Sequence, residues 1–212
     1  RLDLPKNIFV HGFITSNGQK MSKSLGNMID PFELVKKYGV DTVRYFLLRE
    51  IPSTEDGDFT YEKFEARYNS DLAKGLGNLV ARIITLAKKS KIFSFAPAFA
   101  KATAGKKATE GKQNLKFKKE IEKTKNNWKR ALNEFKFNEA LISVWALISF
   151  CDRYIEKERP WENSKKQKST IYNLQFAIQN IAELLKPFLP ETSEKILKQL
   201  KTKKSEPLFP RI

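Results

Sequence analysis

Residues 20–24 read KMSKS, two lysines three positions apart among small and polar side chains, with Gly26 shortly after. A flexible loop of this make-up can bring two mobile ammonium groups, those of Lys20 and Lys23, onto a polyphosphate. The chemistry this serves is transition-state stabilisation. When a carboxylate attacks the α-phosphate of a nucleoside triphosphate, negative charge builds on the departing diphosphate, and cations that close on it only at that moment speed the step. Ser22 and Ser24 supply hydroxyls that either bond phosphate oxygens or hold the loop. Taken alone, a KxxK spacing far more often marks an ordinary surface loop with two lysines. The loop is not a P-loop, because no GxxxxGK[ST] run is present.

The remaining inventory narrows the chemistry. Cys151 is the only cysteine and His11 the only histidine. An intramolecular disulfide, a cysteine-based metal site, a histidine-dependent triad and a histidine-rich metal site are thereby excluded, so no metal site is expected in this chain. A single cysteine accords with a cytoplasmic protein. No apolar stretch approaches the roughly 18 residues of a membrane span. The opening RLDLPKNIFV has neither an initiator Met nor the apolar run of a signal peptide, and reads as a cut into a longer protein.

The formal charge is +16, from 40 basic and 24 acidic residues. It is unevenly spread: residues 1–57 hold 8 basic and 7 acidic side chains, whereas residues 88–130 hold 14 basic and 3 acidic. A field of this kind attracts polyanions, and counterion release makes nucleic acid the natural partner. A lysine-rich solvated surface is the plainer alternative.

The elements that must position these residues can be read from patterning. NIFVHGFIT is strand-like and SNGQ is a polar turn ahead of the cationic loop. A helix follows, with Asp30 at its N-cap, Pro31 at its first position, Glu33 completing a capping box and Gly39 ending it. VDTVRYFLLREI forms a second helix stopped by Pro52, and STEDGD an acidic turn. From Thr60 onward the period is helical throughout. Phe64, Tyr68, Leu72, Leu76, Leu79, Val80 and Ile83 mark one long amphipathic helix over about 60–90. Further stripes run from Phe117 to Phe135, from Phe137 to Ile155 and from Ile171 to Phe188, and a short helix from Pro190 to about Leu200. Trp128 and Trp145 fall on these stripes and belong to the core. Residues 94–114 lack periodicity and read as a loop. The expected fold is mainly α: an antiparallel helical bundle over 58–212, preceded by a short α/β segment over 1–57.

The run VHGFITSNGQKMSKSLGNMIDPFELVKKYGVDTVRYFLL resembles, almost residue for residue, the segment that follows the catalytic fold of class I aminoacyl-tRNA synthetases. The resemblance implies that residues 1–57 close a catalytic domain and 58–212 bind an anticodon. It assigns Lys20 and Lys23 to stabilising the ATP phosphates during adenylate formation, with Met21, Ser22 and Ser24 completing the ATP-binding loop, and ATP with Mg2+ as the cofactor of the full-length enzyme. His11 begins an HGF segment and is taken as structural. The valine, isoleucine, leucine and cysteine enzymes share KMSKSLGN, but three features resemble the methionine–tRNA ligase family. These are the joint REIPSTEDGDF leading into a long helix, the tripeptide RPW at 159–161, and the terminus PLFPRI.

In that family an Asn and an Arg one turn apart and a Trp after a later Pro contact the anticodon; the matching positions are Asn78, Arg82 and Trp161. The chemistry is sound: positions i and i+4 project from one helix face, an amide and a guanidinium read base edges, and an indole stacks on a splayed base. The bare residues also allow a solvated helix side and, for Trp161, packing at a helix start. After RPW the chain continues ENSKK, more polar than the family's short apolar-containing helix. The implied reaction is ATP, methionine and tRNA(Met) giving methionyl-tRNA, AMP and diphosphate, with this chain inactive alone because the HIGH signature and the methionine pocket lie outside it. A valine-, isoleucine- or leucine-type fragment, a non-catalytic tRNA-binding module and a helical scaffold with incidental charge are the competing readings.

Overall fold

A computed structural model describes residues 4–6, 8–92, 108–162 and 164–210. Strands β1 (Ile14–Ser16) and β2 (Gln19–Lys20) form a tight hairpin with Thr15 opposite Lys20 and Ser16 opposite Gln19. Asn17 and Gly18 both have positive φ, 52° and 71°, which a two-residue hairpin demands and an Asn-Gly pair tolerates. β3 (Gly57–Phe59) lies parallel to β1 on its other side, giving the order β2-β1-β3. The strand expected over NIFVHGFIT is thus confined to its end. Among the described residues 8–12 have no strand to pair with. Gly12 lets the chain pass against the 55–57 segment, for a Cβ there would lie 2.0 Å from the Glu55 carbonyl oxygen.

α1 (Pro31–Tyr38) opens with Asp30, whose side chain accepts from the Phe32 N–H (2.8 Å). The expected capping box does not form: Asp30 bonds two residues on, and Glu33 is exposed with no bond back to it. Gly39 closes the helix, donating to Val35 O, and α2 (Val40–Glu50) follows at once. Ile51 is extended, as a residue before proline prefers, and α2 ends there. Thr60 caps α3 (Tyr61–Arg67), which runs on through a π-helical stretch (Tyr68–Gly77) into α4 (Asn78–Lys89). The long helix expected over 60–90 is therefore present, with a wider-wound middle that no periodicity announced.

The bundle is completed by α5 (Ala108–Asn133), α6 (Phe137–Glu158), α7 (Ser164–Leu185) and α8 (Pro190–Thr202). Residues 93–107 of the loop expected over 94–114 lie outside the described residues, while 108–114 open α5. Their Ala, Glu, Lys and Gln are strong helix formers, and lack of an apolar stripe hid them. Phe135 and Phe188 lie beyond their helices. Phe135 sits in a left-handed turn (φ 57°), and Phe188 is buried in the turn after α7, where its N–H reaches Leu185 O.

Two apolar cores result. The larger gathers Leu72, Leu76, Leu79, Ile83, Phe117, Ile121, Leu141, Leu147, Ile178 and Leu185 from the bundle. Trp128 and Trp145 pack against it part-buried, Trp128 donating to Leu184 O (3.1 Å) and Trp145 lying 4.5 Å from the Tyr45 ring. The smaller holds Leu34, Tyr38, Val43, Phe46, Phe59 and Phe64. α2 serves both: Val43 and Phe46 enter the smaller, Tyr45 the larger. Its polar face also reaches the bundle's end. Asp41 accepts from the Thr192 N–H at the start of α8 (2.6 Å), and Arg44 donates to Pro187 O and Phe188 O (2.8 and 2.9 Å). Leu208 and Phe209 fold back on the larger core, where Tyr68 donates to Pro210 O (2.6 Å). Among the described residues no helix is long and apolar enough to cross a membrane.

Candidate functional site

The cationic loop hangs from the β1–β2 hairpin. Lys20 ends β2 and Lys23 lies in the turn beyond, both exposed. Among the described residues neither makes an ion pair, so both ammonium groups are available to a ligand. The loop between them is tied by Asn27, a residue the motif reading passed over. Its Oδ1 accepts from the Ser22 N–H (2.9 Å) and its Nδ2 donates to Lys20 O (3.1 Å). The Gly26 N–H reaches Lys23 O (3.3 Å), and the Ser22 and Ser24 hydroxyls bond each other (2.7 Å). Met21 and Ser22 are part-buried, which leaves the lysines as the reaching groups. Asn27 could have been found from its placement: an amide in the turn after a cationic loop is a common backbone anchor.

The hairpin is steadied from β3. Asp58 accepts from the Gly18 N–H (2.7 Å) and the Thr15 hydroxyl (2.8 Å), with Lys63 at 3.5 Å. The Gly18 bond first, then Thr15 and Lys63, hold this carboxyl below its usual 3.8. His11 is exposed and, among the described residues, bonds the neighbouring Gly12 carbonyl (2.8 Å). Among the described residues no group of three or more His, Cys, Asp or Glu could hold a metal ion.

At the bundle, Asn78 is exposed at the first position of α4, and Arg82 follows one turn later. Arg82 is not free in solvent. Its guanidinium spans to α6, reaching Asp152 Oδ1 at 3.5 Å and the Glu156 carboxylate more closely. Burial pushes the Asp152 carboxyl up, Arg82 opposes the shift, and Glu156 adds to it. Trp161 lies in the turn between α6 and α7 rather than at a helix start. Arg159 ends α6 in the left-handed region (φ 39°), Pro160 is buried, and the Trp161 side chain is 51% exposed with its Nε1–H on Glu162 (3.3 Å). Arg82 and Trp161 are thus brought to one end of α6 from two directions. Asn78 lies a turn back along α4, about 6 Å in rise. The partners of Arg82 were absent from the sequence reading, since nothing local marks residues seventy positions apart.

A sheet-borne cationic loop, carried through two helices onto a helical bundle, matches two family models in succession. The model "tRNA synthetases class I (M)" covers residues 1–84, and "Anticodon-binding domain of tRNA ligase" covers 114–210. Curated relatives sharpen the class. The methionine–tRNA ligase of Caldanaerobacter subterraneus subsp. tengcongensis is 38% identical over 205 residues, taking in 94% of this chain and 31% of its own length. Those of Bacillus subtilis (36% over 242 residues; 100% of this chain, 35% of the relative) and Clostridium perfringens (39% over 208; 95% and 31%) agree. Mycobacterium tuberculosis methionyl-tRNA synthetase in complex with methionyl-adenylate superposes with a TM-score of 0.81 at 28% identity, over 99% of this chain and 45% of that one. Its apo form gives 0.80 at 26% identity. This chain belongs to the methionine–tRNA ligase family and spans about a third of the length of the curated relatives it matches.

Proposed function

We propose that this chain is part of an enzyme that joins methionine to tRNA(Met) at the expense of ATP, working in the cytoplasm. Residues 1–57 end its catalytic domain and 58–212 read the anticodon. In this reading Lys20 and Lys23 are the catalytic cations and Met21, Ser22 and Ser24 complete the ATP-binding loop. What supports it is that both lysines are exposed and free of carboxylates while Asn27 fixes the backbone between them. The two ammonium groups meet the developing negative charge of the diphosphate, which strengthens their attraction as the bond to the α-phosphate breaks. ATP brings Mg2+ on its own phosphates; the described residues offer it no ligand cluster.

Asn78, Arg82 and Trp161 form the anticodon reader. The single observation that carries this assignment is the convergence of Arg82 and a half-exposed Trp161 on one end of α6. Asp152 and Glu156 hold the guanidinium plane ready, and a base edge exchanges with one of these carboxylates when RNA arrives. Trp161 offers a face for a splayed base, an interaction worth roughly 1–3 kcal/mol. The test is binding of this chain to an anticodon stem-loop bearing CAU and to one with a single anticodon base changed. A preference for CAU of about tenfold or more is expected, lost in Trp161→Ala. Equal binding to both loops by the parent chain would remove the assignment of all three residues.

A further inference from the structure

We propose that the seam between α5 and α6 is a second RNA-binding surface, gripping backbone phosphates of the same RNA whose anticodon loop engages Arg82 and Trp161. The proposal rests on the reading above. Two adjoining hollows of about 330 and 290 Å³ run along the seam and share Glu120. The first is floored by the rings of Phe117, Phe150 and Tyr154, with Phe117 at 4.9 and 4.5 Å from the other two. Lys116, Arg153 and Lys157 rim it. Lys123 and Arg130 rim the second, with Asn127 between them.

The spacing is regular. Lys116, Lys123 and Arg130 stand seven residues apart, close to two helical turns each, so α5 turns all three toward the seam at steps of about 10.5 Å. None of the five cations has an ion pair among the described residues. Some surface cations elsewhere are paired, Lys63 with Asp58, Arg67 with Glu50 and Asp71, Lys136 with Glu134 and Glu139, while others, Lys198 and Lys201 among them, are not paired among the described residues. Three carboxylates, Glu120, Glu139 and Glu158, line the hollows against these five cations, and Glu139 is engaged by Lys136, so the seam keeps a positive balance. A row of unpaired cations over an apolar floor complements a phosphodiester chain.

The seam is also placed to meet an RNA already held. Arg82 touches Asp152 and Glu156, and Arg153 and Lys157 are the next residues on, turned about 100° around α6 toward α5. The reader and the seam therefore flank the same two turns of α6, about one helix diameter of 10 Å apart.

The experiment measures binding of the CAU stem-loop and the altered-anticodon stem-loop across a salt series. It compares the parent chain, Trp161→Ala, the seam triple Lys116→Ala/Lys123→Ala/Arg130→Ala, and a control triple Lys195→Ala/Lys198→Ala/Lys201→Ala on α8, with helical melting curves taken for each. The seam triple should weaken both loops by the same factor, about tenfold or more near physiological salt, keep their ratio, and flatten the log–log salt slope by about 2. Arg153→Gln, acting from the α6 side, should flatten it by about 0.7–0.9. The control triple should move the slope less than half as far as the seam triple. If the seam triple and the control triple behave alike, or neither departs from the parent, the seam is overturned. Loss of the anticodon reading is separate: it is a parent without CAU preference, whatever the slopes do.

Discussion

Asn27 spans the cationic loop by two bonds to backbone, so its removal should loosen the loop without changing the lysines. A bond of this kind contributes about 0.5–1.5 kcal/mol, and Asn27→Ala should raise hydrogen exchange at the Ser22 amide by roughly three- to tenfold while the bundle amides stay unchanged. Asp58 makes the hairpin sensitive to acid. Its carboxyl is held below 3.8, so its contribution is complete above that value and is lost as pH falls through the lower, folded value. Acid titration should therefore free the Gly18 amide only as pH falls through that lower value, and Asp58→Asn should show that loosened hairpin already at neutral pH, both readable by amide exchange. Lys20 and Lys23 could be picked out in the sequence as candidates because a motif marks them locally, and Asn78, Arg82 and Trp161 only through the family resemblance. Asp152, Glu156 and Asp58 could not, since a partner across helices or strands is set by how the elements pack.

Helices were legible wherever one face is apolar, which is why α4, α6 and α7 stand where their stripes put them. The stripes overran the ends at Phe135 and Phe188: Phe188 feeds the core from a turn, as a helix residue would, whereas Phe135 is exposed in its left-handed turn. The start of α5 and the π-helical stretch were hidden for the opposite reason: neither alters which residues are apolar. α2 is the element with the most to lose. Asp41→Ala would leave the buried Thr192 N–H without an acceptor, at a cost of about 1–3 kcal/mol, and Asp41→Asn, which keeps an oxygen there, should cost less. Leu76→Ala, at a fully buried site in the same core, should cost about 2–5 kcal/mol; urea denaturation measures all three.

At the scale of the molecule, Cys151 offers an unfolding probe already built in. It is wholly buried, and burial pushes its thiol well above the ordinary range. A thiol reagent should therefore leave the native chain unmodified near neutral pH and react on denaturation at the rate of global opening. The isolated chain should also give no ATP–diphosphate exchange above background, because it spans about a third of its relatives. The basic block around α5 was visible as composition, whereas its alignment along one seam needed the packing of α5 on α6. The double attachment of α2 to the ends of α7 and α8 bears on how such proteins can be recombined. The sequence changes character near residue 57, which invites domain exchange there. A chimera joined at that point would set one parent's α2 against the other's final helices, and Asp41, Arg44 and Tyr45 would meet strangers. The natural crossover lies earlier, at Gly39, so that α2 is inherited together with the bundle it fastens.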